Sequence, residues 1–475
     1  MSRFIPSLAV LSSLVFLALA ADLNAQEASY YYERGSNWDQ KGDYDKAVAD
    51  LSQALRIDPY YADAYYERAY AWREKGEFDR AIADYNQAIR LNPNNAEMYV
   101  DRSFVWTMKG EYDKALDDCK EALRLDPNNA YGYVGRADAW KYKGEYDKAI
   151  ADCDQALRMN AANNIYVFAY YGRGCIWAEK SEFDKAIADY TQALRLNPNY
   201  ANAYTNRGYA WSEKGEYDKA LDDHNQDIRL APNNARAYLG RAYVWSEKGE
   251  YDKALDDCKE ALALGPNDDA VYAGRGDVWG NKGDFDKAID DYNQALRLNP
   301  NSAAAYSSRS WAWCEKGDFD KAVADCEQAL RIDPKNVGAY INRGDAWCKK
   351  GEYEKALADY NQALKINPNC SKTYRRLGWL QATCPDEKYR DAKKSFENAN
   401  KAYQLNFGKD WTYIDTLAAV YAENKDFETA RQWAAKALKM AETDKTAKEK
   451  DKKDINARLE LYKQDKPYRE ELKAK

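Results

Sequence analysis

Two charged residue types recur at fixed spacing along this 475-residue chain and are the first candidates for chemistry. An arginine appears once in each of ten similar segments, and an aspartate follows it 16 positions later (50 − 34). The arginines are Arg34, Arg68, Arg102, Arg136, Arg173, Arg207, Arg241, Arg275, Arg309 and Arg343, and the aspartates are Asp50, Asp84, Asp118, Asp152, Asp189, Asp223, Asp257, Asp291, Asp325 and Asp359. Arginines in a row could bind phosphate groups, but the matching carboxylates would neutralise them, and a charge in a packed segment is costly unless it is paired. We therefore interpret the two rows as structural Arg–Asp pairs between helices.

Other residue types that support catalysis are scarce or unfavourably placed. His224 is the only histidine, so histidine metal motifs and a Ser–His–Asp triad with a spare histidine are not available. We interpret His224 and Asp227 as partners inside a core. Four of the nine cysteines share one repeated position, which predicts apolar packing, and a disulfide is left open only for Cys370 and Cys384. No catalytic residue, cofactor or metal site is predicted, and we expect the protein not to be an enzyme.

These charges belong to a repeated motif, Tyr-x-x-Arg-small-x-x-Trp-x-x-x-Gly-(Glu/Asp)-aromatic-Asp-Lys-Ala. Its glycines are 34 residues apart (76 − 42). Ser181 takes the glycine position once, and 37 residues separate it from Gly144 (181 − 144). Before each glycine, apolar residues recur at the spacing of one helix face, and a second such face follows it. Glycine ends the first helix and a proline ends most second helices. The motif therefore predicts a stack of antiparallel helix pairs, in which each pair buries its apolar faces against its neighbours.

The period divides the chain into ten regular repeats over residues 28–370. They span 28–61, 62–95, 96–129, 130–163, 167–200, 201–234, 235–268, 269–302, 303–336 and 337–370, with a three-residue insertion at 164–166. Two degenerate repeats are predicted over 371–444, because an atypical terminal repeat must cover the end of the stack. Residues 445–475 are highly charged and predict a capping helix and tail.

The first residues differ in kind from the repeats. Arg3 precedes an apolar run from Leu8 to Ala21, and small residues follow before Gln26. This order is typical of a signal peptide, and the run is short for a membrane span, which needs about 20 apolar residues. We therefore expect residues 1–25 to be removed and the mature protein to be exported to the periplasm or cell envelope of a bacterium, or outside the cell. An uncleaved anchor is the alternative.

The repeat resembles the tetratricopeptide repeat family. The small residue, aromatic residue, two alanines and proline of that family's pattern fall on Ala69, Trp72, Ala81, Ala88 and Pro93. Arginine replaces the family's usual leucine before the small residue, which looks like a variant found in bacterial repeat proteins. The resemblance implies an all-α, right-handed superhelical solenoid of about twelve antiparallel helix pairs, with a concave groove lined by the first helices.

The groove positions of this family, carried to the chain, give the candidate binding site. The family's clamp for a partner's C-terminal carboxylate is not present, because its Lys and Asn are missing from these positions. Aromatic residues with an adaptable methionine and an arginine stand there instead, as in many peptide grooves. The predicted site is Tyr32, Tyr66, Tyr70, Arg73, Phe104, Met108, Tyr131, Tyr142, Phe168 and Tyr171. The alternative is that these rings only pack against neighbouring helices.

The amino-acid composition limits the classes of partner that the protein is expected to bind. The net charge is −7 with 31% charged residues, and a nucleic-acid surface would need a basic stripe. We expect a scaffold that binds a protein or an extended peptide, with no nucleic acid and no membrane span after signal cleavage. The alternative function is a structural envelope spacer that acts through the length and ends of the solenoid.

Overall fold

The structure, a computed structural model, describes the backbone of residues 8–159 and 163–471, and side chains from Leu23 onward. These residues form 25 α-helices and one 3-10 helix, without a strand among them. They belong to two compact units, Met1–Gly215 and Glu216–Lys475, called here the N-terminal and C-terminal units. The prediction of an all-α fold with about twelve helix pairs is confirmed.

The N-terminal unit contains the first eleven helices. They are α1 (Leu8–Gln40), α2 (Tyr44–Ile57), α3 (Ala62–Glu74), α4 (Phe78–Leu91), α5 (Ala96–Met108), α6 (Tyr112–Leu125), α7 (Ala130–Tyr142), α8 (Tyr146–Arg158), α9 (Asn163–Glu179), α10 (Phe183–Leu196) and α11 (Ala201–Glu213). The first seven residues of the predicted signal segment lie outside the described residues, and α1 contains the rest of it. The inserted residues 164–166 lie in α9, which has 17 residues where α7 has 13.

The C-terminal unit contains the other fourteen α-helices and the 3-10 helix. They are α12 (Tyr217–Leu230), α13 (Ala235–Glu247), α14 (Tyr251–Leu264), α15 (Asp269–Lys282), α16 (Phe285–Leu298), α17 (Ala303–Lys316), α18 (Phe319–Ile332), α19 (Val337–Lys350), α20 (Tyr353–Ile366), α21 (Ser371–Thr383), the 3-10 helix Glu387–Tyr389, α22 (Ala392–Asn406), α23 (Trp411–Glu423), α24 (Phe427–Thr443) and α25 (Glu449–Lys463). Helix α25 buries Ile455 and Tyr462 completely against α23 and α24.

A left-handed residue separates the two helices of each regular repeat. The nine repeated glycines have φ between +72° and +96°, and Ser181 takes the same position with φ +58°. Glycine reaches this region without the steric cost that a Cβ imposes. In repeat two, the Gly76 N–H bonds to the Arg73 carbonyl at 2.9 Å and the Glu77 N–H to that of Trp72 at 2.9 Å. The repeated glycine therefore closes the first helix and turns the chain into the second.

In the core of a repeat, a small residue on the first helix packs against one residue of the second helix, and the sizes of the two residues are matched. In repeat five, a Cβ on Gly174 would lie 2.7 Å from Cε1 of Tyr190, so only glycine leaves room for the ring. Gly276 with Tyr292 and Gly344 with Tyr360 repeat this arrangement. Where the second helix has cysteine instead, the first has alanine or serine: Ser103 with Cys119, Ala137 with Cys153, Ala242 with Cys258 and Ser310 with Cys326. Ala69 with Tyr85 is an exception to this size matching.

The predicted Arg–Asp pairs are confirmed in the nine regular repeats that lie wholly within one unit. In each, arginine Nε and Nη2 donate to the two oxygens of one aspartate at 2.6–2.9 Å. Several arginines also use Nη1 to reach the second helix of the preceding repeat, as from Arg102 to Asn86 and from Arg309 to Asn293, both at 2.6 Å. Planar guanidinium suits such two-point pairing. The arginine therefore joins three helices where leucine would join two.

Lysines supply two further repeated contacts that the sequence did not reveal. From repeat two onward, the lysine before each left-handed residue reaches an aspartate at the start of the preceding repeat's second helix, as Lys248 does to Asp218 at 2.6 Å and Lys282 to Asp252 at 2.7 Å. The lysine of the Asp-Lys-Ala segment lies over the repeat's tryptophan, as Lys253 does over Trp245 at 4.5 Å. These aspartates are largely exposed, so each ion pair adds about 1 kcal/mol or less to stability.

Candidate functional site

A cavity of about 300 Å³ lies in the N-terminal unit, on the face formed by the first helices of repeats two to five. Helices α3, α5, α7 and α9 line it, and contacts between α5 and α7 and between α7 and α9 hold them side by side. Residue Tyr200, directly before α11, closes one end. Apolar and aromatic side chains dominate its walls, which is typical of sites that bury a ligand's apolar group. Its lining residues are Arg73, Glu74, Phe104, Met108, Tyr131, Val134, Ala137, Asp138, Lys141, Cys153, Phe168, Tyr171, Gly172, Cys175, Ile176 and Tyr200.

The rings in this cavity form a continuous series of edge-to-face contacts. Phe104 contacts Tyr131 with ring centroids 5.5 Å apart, and Tyr131 contacts Phe168 at 6.2 Å. Tyr200 then lies 6.1 Å from Phe168 and 5.0 Å from Tyr171. Such geometry fixes each ring and stabilises the pair beyond its apolar burial. The cavity wall is therefore preformed.

Two paired cations flank the rings. Arg73 lies 2.8 Å from Glu74 and 3.8 Å from Asp101, and its guanidinium covers the Tyr70 ring at 4.2 Å. On the other side, Lys141 lies 2.7 Å from Asp138. Burial opposes the charge of Lys141, but Asp138 outweighs it and raises the lysine's pKa. Both cations stay charged at neutral pH and are already paired, which leaves the apolar walls as the main binding surface.

A second cavity of about 460 Å³ lies beside the first and shares Tyr131 with it. Its walls include the carboxylates of Glu97, Asp101 and Asp126. Burial raises the pKa of Asp101, although a hydrogen bond from the Tyr66 hydroxyl and the nearby Arg73 act in the opposite direction. The cavity therefore combines carboxylates with the rings of Tyr66 and Tyr131.

Six of the ten predicted site residues line the first cavity: Arg73, Phe104, Met108, Tyr131, Phe168 and Tyr171. The other four lie elsewhere. Tyr66 lines the second cavity, and Tyr32 contacts Tyr61 at 4.9 Å. Tyr70 lies under Arg73, and Tyr142 stacks on Tyr112 at 5.6 Å. The two cavities thus include seven of the ten residues, and their role in binding stays a prediction.

Tyr200 is the main lining residue that the sequence reasoning missed. It is the last residue of repeat five, where five of the other regular repeats have asparagine, four of them directly before the next helix. Asparagine there caps the following helix, as Asn234 does by accepting from the Arg236 N–H, whereas Tyr200 makes no side-chain cap. Tyr61 is the equivalent residue of repeat one and contacts Tyr32 as Tyr200 contacts Tyr171. A tyrosine in a capping position was therefore the available signal.

The four repeated cysteines are buried and are not activated as nucleophiles. All nine are free, including Cys370 and Cys384, so the disulfide left open for that pair is not formed. Cys119, Cys153, Cys258 and Cys326 are buried as predicted, and burial raises the pKa of each thiol to about 12. A thiol rather than a thiolate is therefore present at neutral pH, and only the thiolate is a good nucleophile.

His224 is fully buried in the C-terminal unit, where a Cβ on Gly240 would lie 2.3 Å from its Cε1. Burial, together with the neighbouring charge of Arg241, lowers the pKa of His224 to about 4. The imidazole is therefore neutral near pH 7. Asp227 is also buried and accepts from Asn234 Nδ2 at 3.3 and 3.4 Å. Its pairing with His224 stays a prediction.

The described part of the chain contains neither a candidate metal site nor a candidate membrane span. No cluster of three or more His, Cys, Asp or Glu side chains in it is arranged to hold a metal ion. Among its helices, none combines the length and apolar character that crossing a membrane requires.

Comparison with known proteins identifies the family. Tetratricopeptide repeat models match residues 40–73, 62–95, 96–129, 174–215, 235–268, 275–337 and 337–370, which together exceed half of the chain. The chain belongs to the tetratricopeptide repeat family, whose members are generally non-catalytic scaffolds that commonly bind proteins. No curated protein matches it.

Several solved structures are similar in fold. A tetratricopeptide repeat protein from Parabacteroides merdae is 21% identical with a TM-score of 0.46, and the match covers 53% of this chain and 98% of that one. Yeast Tom70 is 18% identical with a TM-score of 0.43, covering 85% and 96%. YrrB, described as a tetratricopeptide repeat protein with an unusual peptide-binding site, is 25% identical with a TM-score of 0.28, covering 39% and 96%.

Proposed function

We propose that this protein is a non-catalytic scaffold that binds an extended segment of a partner protein across the first helices of repeats two to five. The observation that carries the proposal is the aromatic cavity, whose walls are fixed by ring contacts and whose flanking cations are already paired. An apolar patch of this kind on a charged protein marks an interaction site more often than it marks bare surface.

The cavity favours a particular kind of segment. An aromatic or branched apolar side chain of the ligand would displace water from the rings of Phe104, Tyr131, Phe168 and Tyr171. Such a buried anchor would supply much of the binding energy, because interface energy is usually concentrated in a few buried residues. The carboxylates of the second cavity would complement a basic residue near that anchor, since charge complementarity sets orientation and selectivity. The proposed ligand is therefore an extended segment with an apolar anchor and a neighbouring lysine or arginine.

A peptide display library selected on the full chain tests the proposal. Selected peptides are expected to share an apolar anchor, and Phe168→Ala is expected to weaken them by about 2 kcal/mol, or roughly thirtyfold, in fluorescence anisotropy titrations. Tyr60→Ala is the matched control, because Tyr60 is an equally large ring that is 77% exposed and lies outside both cavities.

The envelope spacer is the second candidate function and predicts a different result. A spacer acts through its length and its ends, so peptides would either not be enriched or would bind Phe168→Ala and Tyr60→Ala equally well. Either result would contradict a binding site in the aromatic cavity.

Export in a bacterium is the second part of the proposal and is supported by the charged, apolar and small residues at the start of the chain. Intact-mass measurement of the protein isolated from its native cells is expected to show the loss of about 20 to 25 residues. A mature chain that still carries residues 1–20 would contradict cleavage.

A further inference from the structure

The C-terminal segment of the chain lies against the first helices of its own unit. Its extended residues 466–471 follow α25 and contact α19 and α21. The loop before α25 also reaches repeats seven and eight, where Lys445 Nζ lies 2.7 Å from the Glu250 carboxylate and Lys448 Nζ covers the Phe285 ring at 5.2 Å. The contacted residues stand near the end of a first helix, in the turn that follows it or at the start of the second helix. This edge of the C-terminal unit is therefore already covered by the chain itself.

Glu470 is held at this edge by groups specific for a carboxylate. Lys349 Nζ contacts one carboxylate oxygen at 2.5 Å, and Trp379 Nε1 donates to the other at 2.8 Å. The Glu470 N–H also donates to the Thr383 carbonyl at 2.8 Å. Burial acts against its charge, yet Lys349, Trp379 and Arg376 together lower the pKa of Glu470. Side chain and backbone of one residue are thus both recognised.

The two residues before Glu470 have partners of their own. Arg469 donates from Nη1 to the Ala382 carbonyl at 3.1 Å, and its Nη2 lies 2.7 Å from Glu423. The Tyr468 ring lies 5.9 Å from that of Trp379 and under the Arg458 guanidinium at 5.4 Å. Three consecutive residues, one aromatic, one basic and one acidic, therefore each contact a different set of side chains.

An exposed turn joins this tail to α25, and Tyr468 packs against the cluster that contains Tyr462 of that helix. Helix α25 ends at Lys463, and residues 463–466 are exposed. The cation Lys349 and the indole Trp379 belong to α19 and α21, whose helical hydrogen bonds are made within each helix and not with the tail. The contacts resemble those of a bound peptide more than those of a buried core segment.

We propose that the edge of α19, α21 and α23 is a second peptide-binding site, and that Tyr468-Arg469-Glu470 occupies it as an intramolecular ligand. The site takes an extended aromatic–basic–acidic segment, and the chain's own tail blocks it because a tethered segment acts at an effective concentration of about millimolar. This inference does not rest on the function proposed above, since the aromatic cavity belongs to the other unit.

A labelled peptide of residues 464–475 tests the proposal on the full chain. Glu470→Lys places a cation against Lys349 and is expected to release the tail, so this variant should bind the peptide about tenfold more tightly than the unmodified chain. Glu471→Lys is the matched control, because it makes the same charge change at an exposed neighbouring residue and should leave the tail in place. Equal binding by the two variants would overturn the proposal.

A second arm addresses recognition of the carboxylate itself. The peptide that carries Glu470→Gln is expected to bind the Glu470→Lys chain about tenfold more weakly than the unmodified peptide, since it loses the charge that Lys349 contacts. Undiminished binding of that peptide would also overturn the proposal. Phe168→Ala should change neither result, which separates this site from the aromatic cavity.

Discussion

Arg241→Leu is expected to lower the free energy of unfolding by about 2 to 3 kcal/mol, because it leaves a buried carboxylate without its partner. Arg241 Nε and Nη2 donate to Asp257 at 2.9 and 2.6 Å, and Nη1 donates to Asn225 at 2.7 Å. Asp257 is only 6% exposed, so water cannot replace the guanidinium at low cost. Urea denaturation followed by circular dichroism measures the loss.

The double variant Arg241→Leu with Asp257→Ala is the informative comparison. Removing both charges eliminates the unpaired carboxylate, so the double variant is expected to be more stable than Arg241→Leu alone. If Asp257→Ala instead adds its own full cost on top of that of Arg241→Leu, the pair does not contribute stability as a unit. Arg241→Lys serves as a control that keeps the charge and loses the two-point geometry.

Gly174→Ala is expected to destabilise the N-terminal unit by about 1 to 3 kcal/mol through overpacking. The added Cβ would lie 2.7 and 2.8 Å from two atoms of the Tyr190 ring, which is fully enclosed and cannot move aside without displacing its neighbours. Thermal and urea unfolding of the single variant measure this cost.

A double-mutant cycle tests whether the two residues are matched. Gly174→Ala with Tyr190→Cys reproduces the Ala137 and Cys153 of repeat four, so the combined loss is expected to be at least about 1 kcal/mol smaller than the sum of the two single losses. Ala137→Gly is the matched control, because it removes a methyl group where no ring needs the space. Strictly additive losses would show that the residues do not constrain each other.

Sequence reasoning reached the fold because the same physical requirement recurs in every repeat. A charge at a position where leucine normally packs demands a partner, and a repeated aspartate at a constant distance supplies it. The 34-residue period alone could not decide whether Arg241 would contact Asp223 of the preceding repeat or Asp257 of its own repeat, because both aspartates occupy the same repeated position. In the structure, Arg241 contacts Asp257. The lysine–aspartate contacts were missed because each one joins neighbouring repeats, which a pattern of positions within one repeat does not show.

The candidate site was harder to predict, because it depends on the residues that vary between repeats. Phe168 and Tyr131 occupy expected groove positions and do line the cavity. Tyr142 occupies such a position too, but the aromatic residue that starts the preceding repeat's second helix, Tyr112, lies parallel to it and takes its face. Tyr200 lies outside every expected position, at the junction of two repeats. A pattern of positions within one repeat does not describe which side chains meet at the junction between two repeats.

The matching of Gly174 to Tyr190, and of Ala137 to Cys153, is complete inside one repeat. Contacts that cross between repeats use the same residue types almost everywhere, as the arginine and lysine partners do. Duplication, deletion or exchange of a whole 34-residue segment would therefore keep each matched pair of residues together. The moved segment would also find the same residue types in the repeats before and after it. His224 is a local obstacle to such recombination, because it fits against Gly240 of the following repeat. The array can thus change length or order through recombination at most junctions, and least readily where repeats six and seven meet.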